Sequence, residues 1–260
     1  MLKMNRCTMT QQKVKAQYKM KKHYIIGDVH GEFDTLLALI DKLPKDAEII
    51  FVGDLIDRGA KSREIIEFVR KNNYACVLGN HEDMMINYGT SFTKTYPNST
   101  NPSFLHSWYN NGGDATLFSY GLLKYDKKDG MQCVENAEMI QQFKDNIEWL
   151  KTLPLYIELT YKINNKPVVI THASCADVWH LHDNPNGAET FREYSLWHRK
   201  PPKKESDIYN IYGHTPVEFG VEIEENYANV DTGCYIKRHG YNELSAFCVQ
   251  TQEVVRVNRI

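Results

Sequence analysis

The chain has 260 residues, of which 25% are charged and 42% are hydrophobic, and its formal net charge is −2. This composition excludes the collagenous, low-complexity and disordered classes, and no apolar run approaches the roughly 18 residues of a membrane-spanning helix. A chain of this length buries roughly 70–75% of the surface that it exposes when unfolded, so a substantial core is available.

The first 22 residues form a basic segment. They carry seven lysines and arginines and no acidic residue, which leaves the rest of the chain with a net charge of −9. The segment lacks the apolar stretch of a signal peptide, and it is rich in lysine where transit peptides are rich in arginine. We expect a solvated, disordered leader, although an extension upstream of a native start at Met20 would also explain it. The acidic remainder argues against general nucleic-acid binding.

Six cysteines are scattered along the chain without a C-x-x-C pair. No signal peptide directs the chain to an oxidising compartment, so we expect the cysteines to be reduced. Together with the lack of a membrane span, this predicts a cytoplasmic protein.

The first half alternates predicted strands with predicted helices. Three apolar runs end at glycines and two amphipathic patterns separate them; the runs cover 24–26, 49–52 and 74–78, and the helical patterns cover 33–43 and 62–69. This order and spacing predict right-handed crossovers and a parallel sheet. After it, a Ser/Thr/Asn/Pro-rich stretch from Tyr88 to Ser103 has no periodicity, which favours an exposed loop.

The second half is richer in strands. A helical pattern covers 135–151, and short β-like runs follow at 155–163, 167–171, 208–212, 227–230, 245–249 and 254–257. We find no internal repeat and no linker rich in Gly, Pro or Ser. We therefore expect a single domain over 23–260 after the leader at 1–22.

Polar clusters follow each of the first three strands. Asp28 comes after the first strand, Asp54 after the second and Asn80 after the third, and 26 positions separate each from the next. Because neighbouring parallel strands lie about 4.8 Å apart and end at the same edge, these side chains should stand side by side. Open α/β sheets bind their ligands at this edge.

Crowded carboxylates and imidazoles at such an edge indicate a metal site. Unpaired, they would repel and desolvate one another at a cost of several kcal/mol. Carboxylate, imidazole and amide ligands suit manganese, iron or zinc. His30 lies in the first polar cluster, and His172 and His214 follow later strands. With Asp28, Asp54 and Asn80 they give six ligands for two ions. One carboxylate shared by ions about 3.5–4 Å apart is the arrangement that activates water for in-line attack on phosphorus.

The chain resembles the phosphoprotein phosphatase branch of the calcineurin-like metallophosphoesterases, which carry GD-x-HG, GD-x-x-DRG and GNHE in this order. The resemblance continues through 170–173, 197–199, 212–216 and 231–233, and so covers most of the chain from His23 onward. It is strongest to the small serine/threonine phosphatases of bacteria and phage lambda. It implies an α/β fold with a central two-sheet β-sandwich flanked by helices.

The resemblance also implies a role for each motif residue. Asp28 and His30 would hold one ion, and Asn80, His172 and His214 would hold the second. Asp54 would bridge the two ions. A water activated by both ions would attack phosphorus in line, while His81, oriented by Asp57, would protonate the leaving group. Arg58 and Arg199 would bind the phosphate oxygens.

The implied activity is that of a phosphomonoesterase with two divalent ions, most simply manganese. It would act on phosphorylated serine and threonine in proteins or peptides, and with dual specificity also on phosphorylated tyrosine. The alternative is a symmetrical dinucleoside tetraphosphate hydrolase. Many family members have arginine before GNHE, whereas this chain has Leu78; the symmetrical hydrolases also tend to have leucine there but favour GNHD, and this chain keeps Glu82. A third hypothesis is a catalytically silent module that binds phosphopeptides.

Several other residues have simpler interpretations. We expect His180 and His182 to be surface residues, because neither follows a strand. The aromatic cluster Phe104, Trp108 and Tyr109 indicates packing more than base stacking. Residues 231–233 should shape the floor of the site.

Overall fold

A computed structural model describes residues 21–98, 106–128 and 130–260. Most of the predicted leader lies outside these residues, as does Phe104. The division into a leader at 1–22 and one domain over 23–260 therefore stays a prediction.

The described residues form twelve β-strands and eight α-helices. In chain order they are β1 (His23–Ile26), α1 (Phe33–Lys42), β2 (Glu48–Phe51), α2 (Ser62–Lys71), β3 (Ala75–Cys76), α3 (Asn80–Met84), α4 (Thr90–Thr95), α5 (His106–Trp108), α6 (Asp114–Ser119), β4 (Leu123–Asp126), β5 (Gly130–Cys133), α7 (Ala137–Leu150), β6 (Tyr156–Ile163), β7 (Lys166–Thr171), α8 (Ala188–Trp197), β8 (Tyr209–Tyr212), β9 (Glu222–Ile223), β10 (Tyr227–Asn229), β11 (Glu243–Cys248) and β12 (Val254–Asn258). Short π-helical turns cover Met85–Gly89 and Tyr109–Gly113, and 3₁₀ turns cover Ala176–Leu181 and Pro185–Gly187.

Two mixed five-stranded sheets form the centre of the molecule. The first has the order β12-β11-β1-β2-β3 and the second β6-β7-β8-β10-β9. Strands β1, β2 and β3 are parallel, which confirms the prediction from the first half of the sequence. In the second sheet, β7, β8 and β10 are parallel, and β6 and β9 pair with them antiparallel.

The sheets pack face to face, with helices outside. Alternation along β1 divides its side chains between two cores. Ile25 joins Ile50, Val168 and Ile211 in the core between the sheets, whereas Ile26 joins the core beneath the helices. The architecture is thus the predicted two-sheet β-sandwich flanked by helices.

The expected loop from Tyr88 to Ser103 is wrong in its first half, since helix α4 occupies Thr90–Thr95. The Ser91 hydroxyl donates to the Asn87 carbonyl of the preceding π-helical turn, and the Thr93 hydroxyl donates to the Thr90 carbonyl within α4. Phe92 is buried in the core. A polar sequence therefore folds as a helix because one aromatic anchor fixes it to the rest of the molecule. Residues 99–103 of the expected loop lie outside the described residues.

Turn chemistry explains two further connections. Asn164 and Asn165 both have positive φ between β6 and β7, as a two-residue hairpin with a type I′ turn requires. Helix α7 begins after Asn136, whose side chain accepts a hydrogen bond from the Met139 N–H. The hairpin of β4 and β5 was not predicted.

The structure also bears on membrane-spanning helices and on the cysteines. None of the helices in the described ranges is both long and apolar enough to cross a membrane. No disulfide joins the five cysteines of the described residues, and Cys7 lies outside them.

Candidate active site

The ends of five strands meet at one edge of the sandwich. The connections after β1 and β2 are joined directly, because the His30 N–H donates to the Asp54 carbonyl at 2.9 Å. Several side chains at this edge stand on left-handed backbone with positive φ, namely those of His30, Asp54, Asp57, Arg58 and His214. The tight turns direct these side chains towards a common point.

Asp54 lies at this common point and is buried. Its Oδ2 atom lies 3.5 Å from Nε2 of His30 and 3.8 Å from Nε2 of His81. Its Oδ1 atom lies 3.4 Å from Nε2 of His172. Burial opposes ionisation of Asp54, but the surrounding histidines bring the pKa of its carboxyl below the usual range. The two oxygens of one carboxylate thus face two separate groups of histidines.

These residues form two groups of possible metal ligands that share Asp54. One contains His30, Asp54 and His81, the other contains Asp54, His172 and His214, and within each group the ligand atoms lie within 4.8 Å of one another. The amide oxygen of Asn80 completes the second group, at 2.8 Å from His172 Nε2 and 3.0 Å from His214 Nδ1.

In the second group, two hydrogen-bond acceptors, Nε2 of His172 and the amide oxygen of Asn80, face each other. Because His172 donates its Nδ1–H to the Val52 carbonyl, its neutral ring presents a lone pair at Nε2. That lone pair faces the Asn80 oxygen and, at 3.0 Å, the His214 Nδ1 atom. Burial lowers the pKa of His172 and lowers that of His214 to about 2, and the buried Nε2 atom of His214 finds no hydrogen-bond partner among the described residues.

A divalent cation fits this arrangement of lone pairs. His30 repeats the pattern, since its Nδ1–H donates to the Ile56 carbonyl and leaves a lone pair at Nε2, which here accepts a hydrogen bond from Arg58. Ligand histidines in metalloproteins are typically fixed in this way by a carbonyl behind the ring. The donor set of carboxylate, imidazole and amide oxygen suits a binuclear site for ions such as manganese, iron or zinc.

Asp28 lies beside this cluster but in neither group of ligand atoms. Both of its carboxylate oxygens accept from the His214 backbone N–H, at 3.1 and 3.2 Å. Burial, followed by the charges of Asp231 and Asp54, raises the pKa of Asp28 well above its usual value. Asp231 is itself buried, and burial raises its pKa to about 7. Three carboxyl groups therefore lie close together, and a cation beside Asp28 would relieve their repulsion.

His81 and Asp57 form a buried pair next to the cluster. The Nδ1–H of His81 donates to Asp57 Oδ2 at 2.6 Å, which leaves Nε2 directed towards Asp54. Burial disfavours the charged ring, but Asp54 and Asp57 raise the pKa of His81. A histidine that keeps its proton in this position is suited to protonate a leaving group.

Asp57 is itself held by residues from another part of the chain. The Trp108 Nε1–H donates to Asp57 Oδ2 at 2.8 Å, and the Thr116 hydroxyl donates to Oδ1 at 2.5 Å. Trp108 is fully buried, as expected for a packing residue. A Cβ atom at Gly113 would lie 2.5 Å from the indole ring, so glycine is required there. The role of Trp108 and Thr116 in fixing Asp57 was not predicted.

The two arginines predicted to bind phosphate border the same cleft. Arg58 donates to Nε2 of His30 at 2.8 Å, and its guanidinium lies 3.9 Å from the ring centre of Tyr235. The Arg199 side chain lies at the mouth of the cleft, 3.4 Å from the His214 carbonyl oxygen. Asn80, His81 and Trp197 line the cleft with them. Two fixed positive charges thus border the Asp54 cluster.

Leu78 contributes no charge to this cleft. Its side chain is buried, and its backbone N–H donates to the Pro154 carbonyl at 2.8 Å.

Glu82, the last residue of the GNHE motif that follows Leu78, has a structural role that was not predicted. The Glu82 carboxylate accepts backbone N–H groups of Asp54 and Leu55 at 2.8 Å and of Gly79 at 3.0 Å. Burial raises the pKa of Glu82 to about 8.

The histidines expected at the surface lie outside the cluster. His180 is exposed, and His182 is half-buried with its ring stacked on Trp179 at 4.0 Å. Neither belongs to a group of possible metal ligands in the described residues. Residues 231–233 lie beneath the site, where the Gly233 N–H donates to the Asp231 carboxylate at 2.9 Å.

Comparison with known proteins finds relatives along most of the chain. A bis(5′-nucleosyl)-tetraphosphatase PrpE [asymmetrical] of Halalkalibacterium halodurans is 28% identical over 81% of this chain and 84% of its own. A symmetrical bis(5′-nucleosyl)-tetraphosphatase of Actinobacillus pleuropneumoniae is 29% identical over 61% of this chain, but this covers only 47% of that protein. The crystal structure of a putative diadenosine tetraphosphatase has the same fold, with a TM-score of 0.55 and 14% identity over 94% of this chain and 96% of its own.

The family model for calcineurin-like phosphoesterases matches residues 22–241. The match spans the two groups of possible ligands, the His81–Asp57 pair and both arginines. It agrees with a metal-dependent phosphoesterase site at the edge of two mixed sheets. The chain therefore belongs to the calcineurin-like phosphoesterase family.

Proposed function

We propose that this phosphoesterase is a dinucleoside tetraphosphate hydrolase that cleaves a phosphoanhydride bond within the phosphate chain. One observation supports hydrolysis at phosphorus: two groups of histidines share Asp54, and a buried His81–Asp57 pair lies beside them. The proposal for the substrate rests on the relatives that match most of the chain, which are bis(5′-nucleosyl)-tetraphosphatases.

Each part of the site has a task in such a reaction. Residues Asp28, His30, Asp54, Asn80, His172 and His214 would hold two divalent ions, which when bound activate water and neutralise phosphate charge. Arg58 and Arg199 would bind the non-bridging oxygens and stabilise the charge that grows on them. His81, held by Asp57, would donate its proton to the departing phosphate oxygen.

The substrate proposed here is the alternative from the sequence, and it replaces hydrolysis of a phosphoprotein as the first choice. Leu78 agrees with it, because its buried apolar side chain leaves the cleft without the third positive charge of many protein phosphatases. The relatives that match 81% and 90% of the chain are described as asymmetrical. We therefore expect AMP and ATP from diadenosine tetraphosphate, rather than the two molecules of ADP that the symmetrical alternative implies.

The test is parallel turnover of diadenosine tetraphosphate and a phosphothreonine peptide with Mn²⁺, with the Asp54→Asn variant as the blank. Chromatography of the nucleotides identifies the bond that is cleaved. A kcat/KM that is higher for the dinucleotide supports the proposal. Faster hydrolysis of the peptide would return the protein to the phosphatases that act on phosphoproteins. Binding of the peptide with no turnover of either compound would support the silent binding module.

A further inference from the structure

An aromatic side chain stands at the mouth of the cleft without a role in the chemistry described above. Trp197 is 42% exposed. A single exposed apolar side chain is ordinary on a protein surface, so it is the location of this one that matters. It lines the cleft together with Asn80, His81 and Arg199. The exposed indole therefore lies next to the proposed phosphate site.

The position of Trp197 is fixed by the elements around it. It is the last residue of α8, and its ring contacts His214 edge to face with 6.2 Å between the ring centres. Arg192, one turn and a half earlier in α8, forms an ion pair with Asp83 of α3, the helix that also carries Asn80 and His81. The helix end that presents Trp197 is thus connected to the helix that carries the catalytic residues.

The other large aromatic ring of the cleft is already covered. The guanidinium of Arg58 lies over the Tyr235 ring at 3.9 Å, and the His30 ring contacts the Tyr235 ring at 4.7 Å. Trp197, by contrast, keeps a large exposed area. Of these two rings, it is the one that can accept a planar group of the substrate.

The spacing between Trp197 and Arg199 suits a nucleotide. The two residues are separated by His198 alone, and both line the cleft. In a nucleotide the ribose separates the base from its phosphate by several ångströms, so a base at Trp197 leaves the phosphate chain within reach of the arginine. Stacking of a base on an aromatic side chain tolerates different bases, because every base has a π-face.

We propose that Trp197 is the stacking platform for one nucleobase of the dinucleoside polyphosphate, an inference that rests on the function proposed above. Arg199 binds phosphate oxygens at the same helix end. The platform gives the cleft a preference for nucleotides over other phosphorylated compounds. A phosphothreonine peptide without aromatic residues carries no planar group to stack on the exposed indole.

The experiment compares two probes that resist hydrolysis, α,β-methylene-ADP and methylenediphosphonate, which share the bridged diphosphate and differ in the nucleoside. Their dissociation constants are measured by calorimetry on the Mn²⁺-loaded full chain. The variants are Trp197→Ala, Trp197→Phe and the control Tyr125→Ala, which removes an aromatic side chain that is 71% exposed and lies outside the cleft. Melting temperatures show that each variant is folded.

We expect Trp197→Ala to weaken binding of the nucleotide on the order of tenfold and to leave the diphosphonate unchanged, with most of the affinity regained in Trp197→Phe. The control should match the wild type. Equal losses for both probes would mean that Trp197 only supports the phosphate site, and no loss for the nucleotide would remove the platform; either result overturns the inference. Turnover of diadenosine tetraphosphate by the wild type tests the proposed function separately.

Discussion

The indole Nε1 of Trp108 and the Nδ1 atom of His81 lie 2.8 Å and 2.6 Å from the same oxygen, Oδ2 of Asp57. The carboxylate thus connects a buried packing residue with the proposed general acid. With Thr116 on its other oxygen, Asp57 has no freedom to turn away from the histidine. The position of the imidazole therefore depends on residues that never contact the substrate.

Replacement of Trp108 by phenylalanine tests this connection. The aromatic volume is largely kept but the hydrogen bond to Asp57 is lost, which corresponds to roughly 1 kcal/mol and a decrease of about fivefold to tenfold in kcat. KM and metal content should not change, as measured by steady-state kinetics and elemental analysis. The control is Trp149→Phe, in a half-buried tryptophan of α7. An unchanged kcat would show that Asp57 is held well enough without the indole.

His81 has two possible roles that its geometry permits, as an acid or as a metal ligand. Because its Nδ1–H is engaged by Asp57 and the pKa of the ring is raised, we expect it to act as an acid. His81→Gln should lower kcat by a factor of about 10² or more and leave metal content at the wild-type value. The exposed His180→Gln serves as the control. Loss of one ion together with activity would identify His81 as a ligand.

Metal binding should stabilise the fold through Asp54. At a Mn²⁺ concentration of about 100 times Kd, one site adds about 2.7 kcal/mol, which corresponds to a rise in Tm of roughly 5–10 °C for a chain of this size. Calorimetric scans with and without Mn²⁺ measure it. In Asp54→Asn the shift should nearly vanish, because both groups of ligands lose their shared carboxylate. Asp183→Asn, at a side chain that is 80% exposed, should retain the full shift. A full shift in Asp54→Asn would contradict the shared site.

Glu82 should prove to be structural. Its carboxylate accepts three backbone N–H groups, and in Glu82→Gln the side-chain amide would direct a donor towards those donors. We expect the free energy of unfolding to decrease by roughly 1–3 kcal/mol. Urea denaturation measures the change, with the exposed Glu148→Gln as the control. Wild-type stability in the variant would mean that water replaces the lost acceptor.

Much of the site could be predicted from the sequence because its residues directly follow the ends of strands. The period of Asp28, Asp54 and Asn80 reflects one strand and one helix per unit, so their alignment follows from parallel pairing alone. His172 and His214 also follow strands. The order of the outer strands and the antiparallel placement of β11 beside β1 could not be derived, since long connections allow several pairings.

The supporting residues could not be predicted for a different reason. Trp108 and Thr116 lie 51 and 59 positions from Asp57, and no local pattern relates a tryptophan in a helical segment to a distant carboxylate. Glu82 belongs to a motif that was recognised, yet its three backbone contacts depend on how β2 and β3 end. Helix α4 was missed because the burial of Phe92 outweighs the low helix propensity of the surrounding Ser and Thr residues.

The left-handed backbone at the edge of the sheets lowers the stability of the fold. The residues concerned are His30, Asp54, Asp57, Arg58 and His214. Each costs on the order of 1 kcal/mol in a conformation that glycine adopts without strain. At these positions a glycine would relieve the backbone and remove a proposed metal ligand or a charged side chain, so the residues that lower the stability are also those proposed to act in the site. A search for thermostable variants should therefore leave this edge alone and act on surface positions such as those of α4 and the β4–β5 hairpin.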